Sequence, residues 1–577
     1  MRHDKITKKV EQIEKVSDGD QKIVDSITEV IKKFNINSVF TRVDTIKRCG
    51  ILISTIGMAL TILPFIGHAT VSSLFKSGLN KIDEGQKDAY YEMKNNPRIN
   101  WRLLLLGLAR RFIYLTGLDK EDTNSIKALI LDDTTLEKTG KHLENAGYVF
   151  DHVTGLHLLG YKLLVCGYWD GVSFIPIDFS FHKEKRDNAL NNSKKRVDKK
   201  KEKVAQLQNK LKVQKQKAEE IKEKVKQKKA KNKANPNKTN RNALEQKVRS
   251  LDKSMQRIKL IEKEKEDGKE KLQYLENTYQ ELKSEYGKCG LKKQDYATQY
   301  KKQRSRNTPG YKRNKETNGD KIDSAISMVR RALKNGFGFD YILTDSWFFC
   351  AKFLRAITYL GKKIYLVSMA PRGNAKYKIL PSGKYLNPNQ ILNLYRTKAI
   401  ENRRYKAKYI KLQTEYQGIR VVAFLIRIGK GENWRLLVST HLNISFNKIM
   451  EVYKIRWTIE VFFKEAKQYL LLGKSQSRDF DAQIADTTLS FIRYLLLSYY
   501  ERTHYGITIG GLFRQISQAS VEENLVADLT EIFMELLILF AELAGIDFMT
   551  VYEELIRQPE LQASLERLKI IPLTHAA

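Results

Sequence analysis

The middle of this chain cannot belong to a hydrophobic core, and that constrains everything around it. Residues 183–320 carry 43 Lys/Arg against 20 Asp/Glu, so most of the +37 net charge of the 577-residue chain lies there. Unpaired charge is costly to bury. The segment must therefore stay solvated, and the sequence on either side must build the core. Val204, Leu207, Leu211, Ala218, Ile221 and Val225 fall at heptad a/d spacing, and Leu244, Val248, Leu251, Met255 and Ile258 resume the pattern after a breaker at Asn235-Pro236-Asn237. This predicts an antiparallel helical hairpin with coiled-coil packing, inserted between strand-forming stretches. A solvated coiled coil without a nucleic-acid role fits the same pattern.

The flanks read as mixed α/β. Residues 1–110 are helical in pattern. SIKALILDD (125–133) is a short apolar run ending in acids, and LLGYKLLVCGYWDGVSFIPIDFSF predicts two strands joined at Asp170-Gly171. AISMVRRALKNG predicts a helix ending at Gly336, and FGFDYILTDSWFF a strand running into a turn and helix. KKIYLVSMA, YIKLQTEY, IRVVAFLIRI and NWRLLVSTHL predict strands of a β-rich section, with helix again from Asn447. Trp434 in that section is a core residue on the simpler reading and a base-stacking candidate on the other.

Such an excess of lysine points to an anionic partner, first of all nucleic acid, because cations that neutralise phosphates release counterions. Four cysteines (Cys49, Cys166, Cys289, Cys350) show no metal-ligand spacing, which predicts a reducing compartment and no structural zinc. The polar, charged start predicts no signal peptide and a cytoplasmic location. The uncharged run 49–75 approaches the length of a spanning helix, but Pro64 and scattered polar residues predict a buried pair of short helices and no membrane association. IFMELLILFAELAG near the C-terminus predicts a buried helix.

Three places concentrate chemistry. Laid on a helix, Tyr453, Arg456, Glu460 and Lys467 fall within a stripe roughly 60° wide beside the apolar face of Val452, Ile455, Ile459, Phe462, Phe463 and Ala466. Arg forks onto phosphate, Lys adds a point charge, Tyr donates to a phosphate oxygen, and a carboxylate among them suits a phosphate-bound magnesium. The bland reading is a set of i,i+4 ion pairs, Arg456–Glu460 and Glu460–Lys464. Ala128–Leu131 runs into Asp132-Asp133-Thr134-Thr135, and Tyr341–Thr344 into Asp345-Ser346-Trp347. Each delivers an acid at the end of a strand, where open α/β sheets place ligands. As a set they supply the oxygen donors that two divalent ions need at a phosphodiester; singly, each acid is a candidate helix cap.

These residues resemble bacterial insertion-sequence transposases of the DDE class, in the group marked by Tyr-x2-Arg-x3-Glu-x6-Lys, the insertion-sequence-four-like family. Tyr453, Arg456, Glu460 and Lys467 match that spacing in full, with Trp457 and a Phe-rich turn alongside. Asp-Thr-Thr and Thr-Asp-Ser-Trp match the other acid sites more loosely, and YYEMKNNPRINWR (90–102) resembles the N-terminal DNA-binding part. The resemblance covers roughly 85–490, interrupted by the lysine-rich segment, which is not a general feature of the group.

The resemblance implies an α/β chain with an RNase H-like catalytic core, a β-rich insertion, a helical N-terminal domain and an inserted basic coiled-coil hairpin. The expected divisions are 1–115, helical and DNA-binding; 116–182, the first half of the core; 183–320, the hairpin insertion; 321–360, the core with the second Asp; 361–445, the β-rich insertion; 446–500, the helix with Glu; and 501–577, helical. It implies Asp133, Asp345 and Glu460 as catalytic and metal-binding acids, with Asp132 the alternative to Asp133 because relatives place Asp at either distance from Thr. It implies Tyr453, Arg456, Trp457, Lys464 and Lys467 on DNA, and two Mg²⁺ or Mn²⁺ ions. The activity would be cut-and-paste transposition of a bacterial, nucleoid-associated enzyme. Its partners would be double-stranded DNA, as terminal inverted repeats and target, and a second copy in a synaptic dimer; cleavage in the family can pass through a DNA hairpin. An RNase H-like nuclease without strand transfer and a non-enzymatic DNA-binding coiled-coil protein are the competing readings.

Overall fold

β-branched and aromatic runs bounded by turn residues become strands here, and the amphipathic stretches between them become helices. The computed structural model describes residues 29–43, 46, 50–65, 68–76, 86–117, 125–184, 186–284, 290–291, 293–361, 363–429, 431, 433–504 and 508–515. Cys49, Cys289 and the apolar stretch near the C-terminus lie outside the described residues. In chain order the elements are α1 (Ile36–Thr41), α2 (Ile53–Ile62), α3 (Val71–Lys76), α4 (Lys87–Lys94), α5 (Trp101–Leu115), β1 (Ala128–Glu137), β2 (Gly147–Phe150), β3 (His157–Trp169), β4 (Phe174–His182), α6 (Arg186–Ala234), α7 (Lys238–Ser284), α8 (Lys293–Thr298), α9 (Pro309–Glu316), α10 (Lys321–Lys334), β5 (Tyr341–Thr344), α11 (Ala351–Thr358), β6 (Tyr365–Ala370), β7 (Tyr377–Ile379), β8 (Tyr385–Leu386), α12 (Pro388–Tyr395), β9 (Ile400–Asn402), β10 (Ala407–Tyr416), β11 (Ile419–Ile428), β12 (Arg435–Ser439), α13 (Phe446–Lys454), α14 (Trp457–Tyr469) and α15 (Phe480–Thr503).

The chain divides into two units, one of residues 1–145, 162–182 and 300–577, the other of 146–161 and 183–299. The first is mixed α/β. Its sheet runs in the order β4–β3–β1–β5–β6–β12–β11–β10–β7–β8, with β9 on β10. β1, β5 and β6 are parallel neighbours, with Leu131 opposite Thr344 and Thr344 opposite Ser368. Beyond β6 every pairing is antiparallel. β6 thus belongs to the parallel set, and the sheet continues across the expected boundary at 361.

Long hydrophobic side chains seat the helix that carries Glu460. Phe462 of α14 is fully buried, with ring centroids 5.2 Å from Phe174, 5.0 Å from Phe491 and 4.8 Å from Tyr494. Gly167 lies at a register shift in the β3–β4 pair, and a Cβ there would stand 2.1 Å from the Phe174 ring, so only glycine leaves that ring its place. α15 is buried along most of its length. Its Arg493 donates to the Leu60, Thr61 and Leu470 carbonyls, which ties α2 and the end of α14 to it.

Two buried ionic clusters hold the scaffold. Arg304 joins Glu144, Asp479 and Asp481 at 2.7, 3.3 and 2.9 Å. Asp178 sits among Arg102 at 2.8 Å, Arg331 at 2.7 Å and Arg313 at 3.8 Å. Arg102 belongs to the segment expected to resemble a DNA-binding part, yet it is spent on this cluster. Tyr90, Met93, Ile99 and Trp101 of the same segment are buried too.

Several expectations change in detail. β1 does not stop at its acids but continues through them to Glu137. The single helix expected over Tyr453–Lys467 is two, α13 and α14, with Ile455 and Arg456 at the joint, both in the αR region. Over 49–75 the chain forms the short helices α2 and α3, with Pro64 in the turn after α2. No described helix is long and apolar enough to cross a membrane. Trp434 is buried beneath the Arg427 guanidinium, 5.6 Å from its ring, so it packs rather than presenting a face for stacking.

In the second unit β2 pairs antiparallel with the first residues of β3. α6 and α7 lie antiparallel: Lys201 pairs with Glu276, Lys215 with Glu262, and Gln214 with Ser254. Leu211, Ala218 and Ile258 are buried between them with Ile261 alongside. The α7 seam differs from the expected heptad. Ser254 and Gly268 face α6, whereas Met255 is 48% exposed. Small residues let the two backbones approach, and a pattern built on large apolar side chains passes over them.

Candidate active site

Two acids meet because two parallel strands share a register. Leu131 pairs with Thr344, so the residues that follow, Asp132 within β1 and Asp345 just past the end of β5, leave neighbouring strands at the same level; strands lie about 4.8 Å apart. The crowding of acids here weighs on both carboxyls. Burial, and then the Asp345 charge, push Asp132 up to about 7, against the pull of Arg456. Asp345 is also raised, by burial and by Asp133, although its carboxylate accepts the Trp347 backbone N–H at 3.0 Å.

The joint between α13 and α14 brings in the third acid. Arg456 Nη1 reaches Asp132 Oδ2 at 2.7 Å, while Nη2 pairs with Glu460 Oε1 one turn on. One guanidinium therefore clasps an acid of the sheet and the acid of the helix. Tyr453 lies beside it, 5.8 Å from ring centroid to guanidinium, with its hydroxyl donating to the Thr344 carbonyl at 3.4 Å. Burial lifts that phenol to about 12, so it remains a donor. Lys467 donates to Thr134 Oγ1 at 2.7 Å and to the Thr135 carbonyl at 3.0 Å, gripping β1 just past the acids. Trp457 is 61% exposed and Lys464 points to solvent.

Side-chain alternation separates Asp132 from Asp133. Asp133 pairs with Lys321 at the start of α10 and lies 3.6 Å from Lys162 of β3. Lys321 in turn sits 3.5 Å from the centroid of the Trp347 ring. The two candidate acids have different neighbours: Arg456 links Asp132 to Glu460 and the Asp345 charge acts on Asp132, whereas Asp133 lies between Lys321 and Lys162 and its charge also acts on Asp345. Asp132, Asp345, Glu460, Tyr453, Arg456 and Lys467 are thus brought together, with Asp133 next to them; Lys464 is not part of the group.

Lys321, Lys162 and Trp347 were not read as site residues. Lys162 left a signal, being the one charge within GYKLLVCGYW, where a buried ammonium requires a partner. Lys321 left only its place after Asp320, whose side chain caps α10.

Among the described residues no three His, Cys, Asp or Glu side chains stand close enough to hold a metal ion together. The donor chemistry nevertheless fits a hard divalent cation. Asp132 and Asp345 are half-buried oxygen donors whose raised carboxyls report unrelieved negative charge, and a guanidinium supplies the positive charge between Asp132 and Glu460.

Residues 292–496 match the family model of the transposase DDE domain. That span takes in Asp345 and the whole of Tyr453–Lys467, and leaves out Asp132 and Asp133. No curated protein matches the chain. Among solved structures, the piggyBac transposase synaptic complex with hairpin DNA, determined by cryo-EM, aligns with a TM-score of 0.38 and 10% identity over 87% of this chain and 81% of that one.

Proposed function

We propose that this chain is a DDE transposase whose acids are Asp132, Asp345 and Glu460, on an RNase H-like core. The observation that carries the reading is the shared register of Asp132 and Asp345, joined to Glu460 through Arg456, with two of the three acids inside the transposase-domain match. These acids would hold divalent ions, Mg²⁺ or Mn²⁺, which when bound supply Lewis-acid activation of the phosphodiester and of the attacking hydroxyl. The chain's own residues do the rest. Arg456 gives up its carboxylates and turns its fork to phosphate oxygens. Tyr453, kept protonated, donates a hydrogen bond nearby, and the exposed Trp457 stacks on a base at the cut end. Lys467 fixes the strand that presents Asp132. The substrate is double-stranded DNA at an element's terminal repeats and then at a target, cut and joined by a synaptic dimer.

Glu460→Gln tests the roles. Cleavage of a duplex carrying the element's end should be lost, with binding retained, because the change removes an anionic oxygen donor and leaves the phosphate-binding side chains in place. Asp132→Asn should do the same, while Asp133→Asn should retain measurable cutting. Wild-type rates from Glu460→Gln end the proposal. Nicked ends with no joined products would point to a nuclease without strand transfer.

A further inference from the structure

The charge of the helical hairpin is not spread along it. Residues 224–249, the last turns of α6, the Asn235–Asn237 connection and the first turns of α7, carry ten Lys/Arg and one acid, Glu245; residues 250–284, the rest of α7, carry eight of each. Ion pairing follows the same gradient. Lys201–Glu276, Lys215–Glu262 and Lys269–Glu266 neutralise the body of the hairpin. Lys222–Glu219 and Lys226–Glu223 are the last pairs toward the turn, and among the described residues none lies between them and Arg249.

Full burial stops where the charge begins. Leu211, Ala218 and Ile258 form the buried seam, and from residue 219 to 253 no side chain is fully buried. α6 runs 16 residues past Ala218, about 24 Å at helical rise. A hairpin end whose seam residues, such as Val225 and Leu244, are only half-buried gains little stability from its length, and its crowded cations repel one another. A helix pair needing only solubility would mix acids with its lysines, as the rest of α7 does.

We infer that the end of the hairpin, residues 224–249, is a second DNA-binding surface, one that grips the phosphate backbone of duplex DNA without reading its sequence. Its exposed side chains are long, flexible cations around polar Asn and Gln, with no aromatic for stacking on bases; its few large apolar residues, Val225, Leu244 and Val248, fall at the heptad positions. Such cations position a duplex rather than specify it. The choice of duplex DNA over RNA rests on the transposase reading; the phosphate surface itself does not.

The test is the salt dependence of binding by the full-length protein to a non-specific duplex of about 60 base pairs. The comparison is a variant with Lys228→Gln, Lys229→Gln, Lys231→Gln, Lys233→Gln, Lys238→Gln and Arg241→Gln. Gln keeps helix propensity, and circular dichroism checks that the hairpin still forms. Every phosphate that the variant no longer neutralises lowers the slope of log K against log salt by about 0.9. With three of the six cations engaged at once, the slope should fall by about 3, and affinity near physiological salt by more than tenfold. Lys→Arg at the five lysine positions should restore both. An unchanged slope overturns the inference, and so does equally tight binding to duplex RNA or to polyglutamate. No cleavage is read, so loss of the transposase reading leaves this measurement decisive, and a six-Gln variant that keeps the wild-type slope removes the hairpin surface alone, whatever Glu460→Gln does to cutting.

Discussion

Asp132→Asn should stabilise the protein at alkaline pH while destroying its activity. A free aspartate titrates near 3.9, and in the folded chain Asp132 sits at about 7 because it is buried beside Asp345. Its side chain is 17% exposed, so solvent does little to relieve it. Three pH units correspond to about 4 kcal/mol at 1.36 kcal/mol per unit. The sign follows from linkage. With the folded pKa raised, the native state holds its proton more tightly than the unfolded chain, so stability is fully present below about pH 4 and is lost as pH rises to 7. Asn carries no charge and avoids that loss, and the pull of Arg456 on the ionised acid is already contained in the value of about 7. The gain at pH 8 is therefore about 4 kcal/mol, shrinking to about 1–2 kcal/mol near pH 5. Urea midpoints of both, taken from pH 5 to 8 with a chelator present, measure this directly. If the advantage of the Asn form fails to grow with pH, the strained-carboxylate account of this site is wrong.

Lys467→Met should lower stability by about 1–3 kcal/mol even without DNA, because it strands the Thr134 hydroxyl and Thr135 carbonyl of β1; a residue that met only DNA would leave thermal unfolding of the free protein unchanged. Asp178→Asn should cost about 3–5 kcal/mol at pH 7, since it removes the buried carboxylate that faces the buried Arg313 and the half-buried Arg102 and Arg331. Burial alone would raise Asp178, but Arg102, Arg331 and Arg313 outweigh it and hold the carboxyl below its ordinary range. Its contribution is therefore present above about pH 4 and fades as pH falls further, so the gap between wild type and variant should narrow in urea titrations near pH 3.

Local pattern carried much of this protein. The hairpin followed from a/d spacing around Asn235-Pro236-Asn237, and the β3–β4 turn from Asp170-Gly171, because both depend on residues a few positions apart. The fifteen residues Tyr453–Lys467 likewise announced a guanidinium and a carboxylate one turn apart, and the Arg456–Glu460 pair is there even though the helix breaks at Ile455-Arg456. The same local reading could not tell that β1 runs on through its acids, since two successive Asp residues are poor strand formers by themselves and only the pairing of β1 with its neighbours in the sheet keeps them extended.

What only the tertiary structure decided was which neighbours each acid of the Asp132-Asp133 pair has. Asp132 and Asp133 are equivalent as letters. A strand turns successive side chains to opposite faces, and the register of β1 on β5, set some 210 residues apart in the chain, puts Asp132 beside Asp345 and leaves Asp133 to Lys321 and Lys162. Chemistry could be read from residue types at short spacing; the meeting of those residues was fixed by strand pairing and burial, which no short stretch of sequence contains.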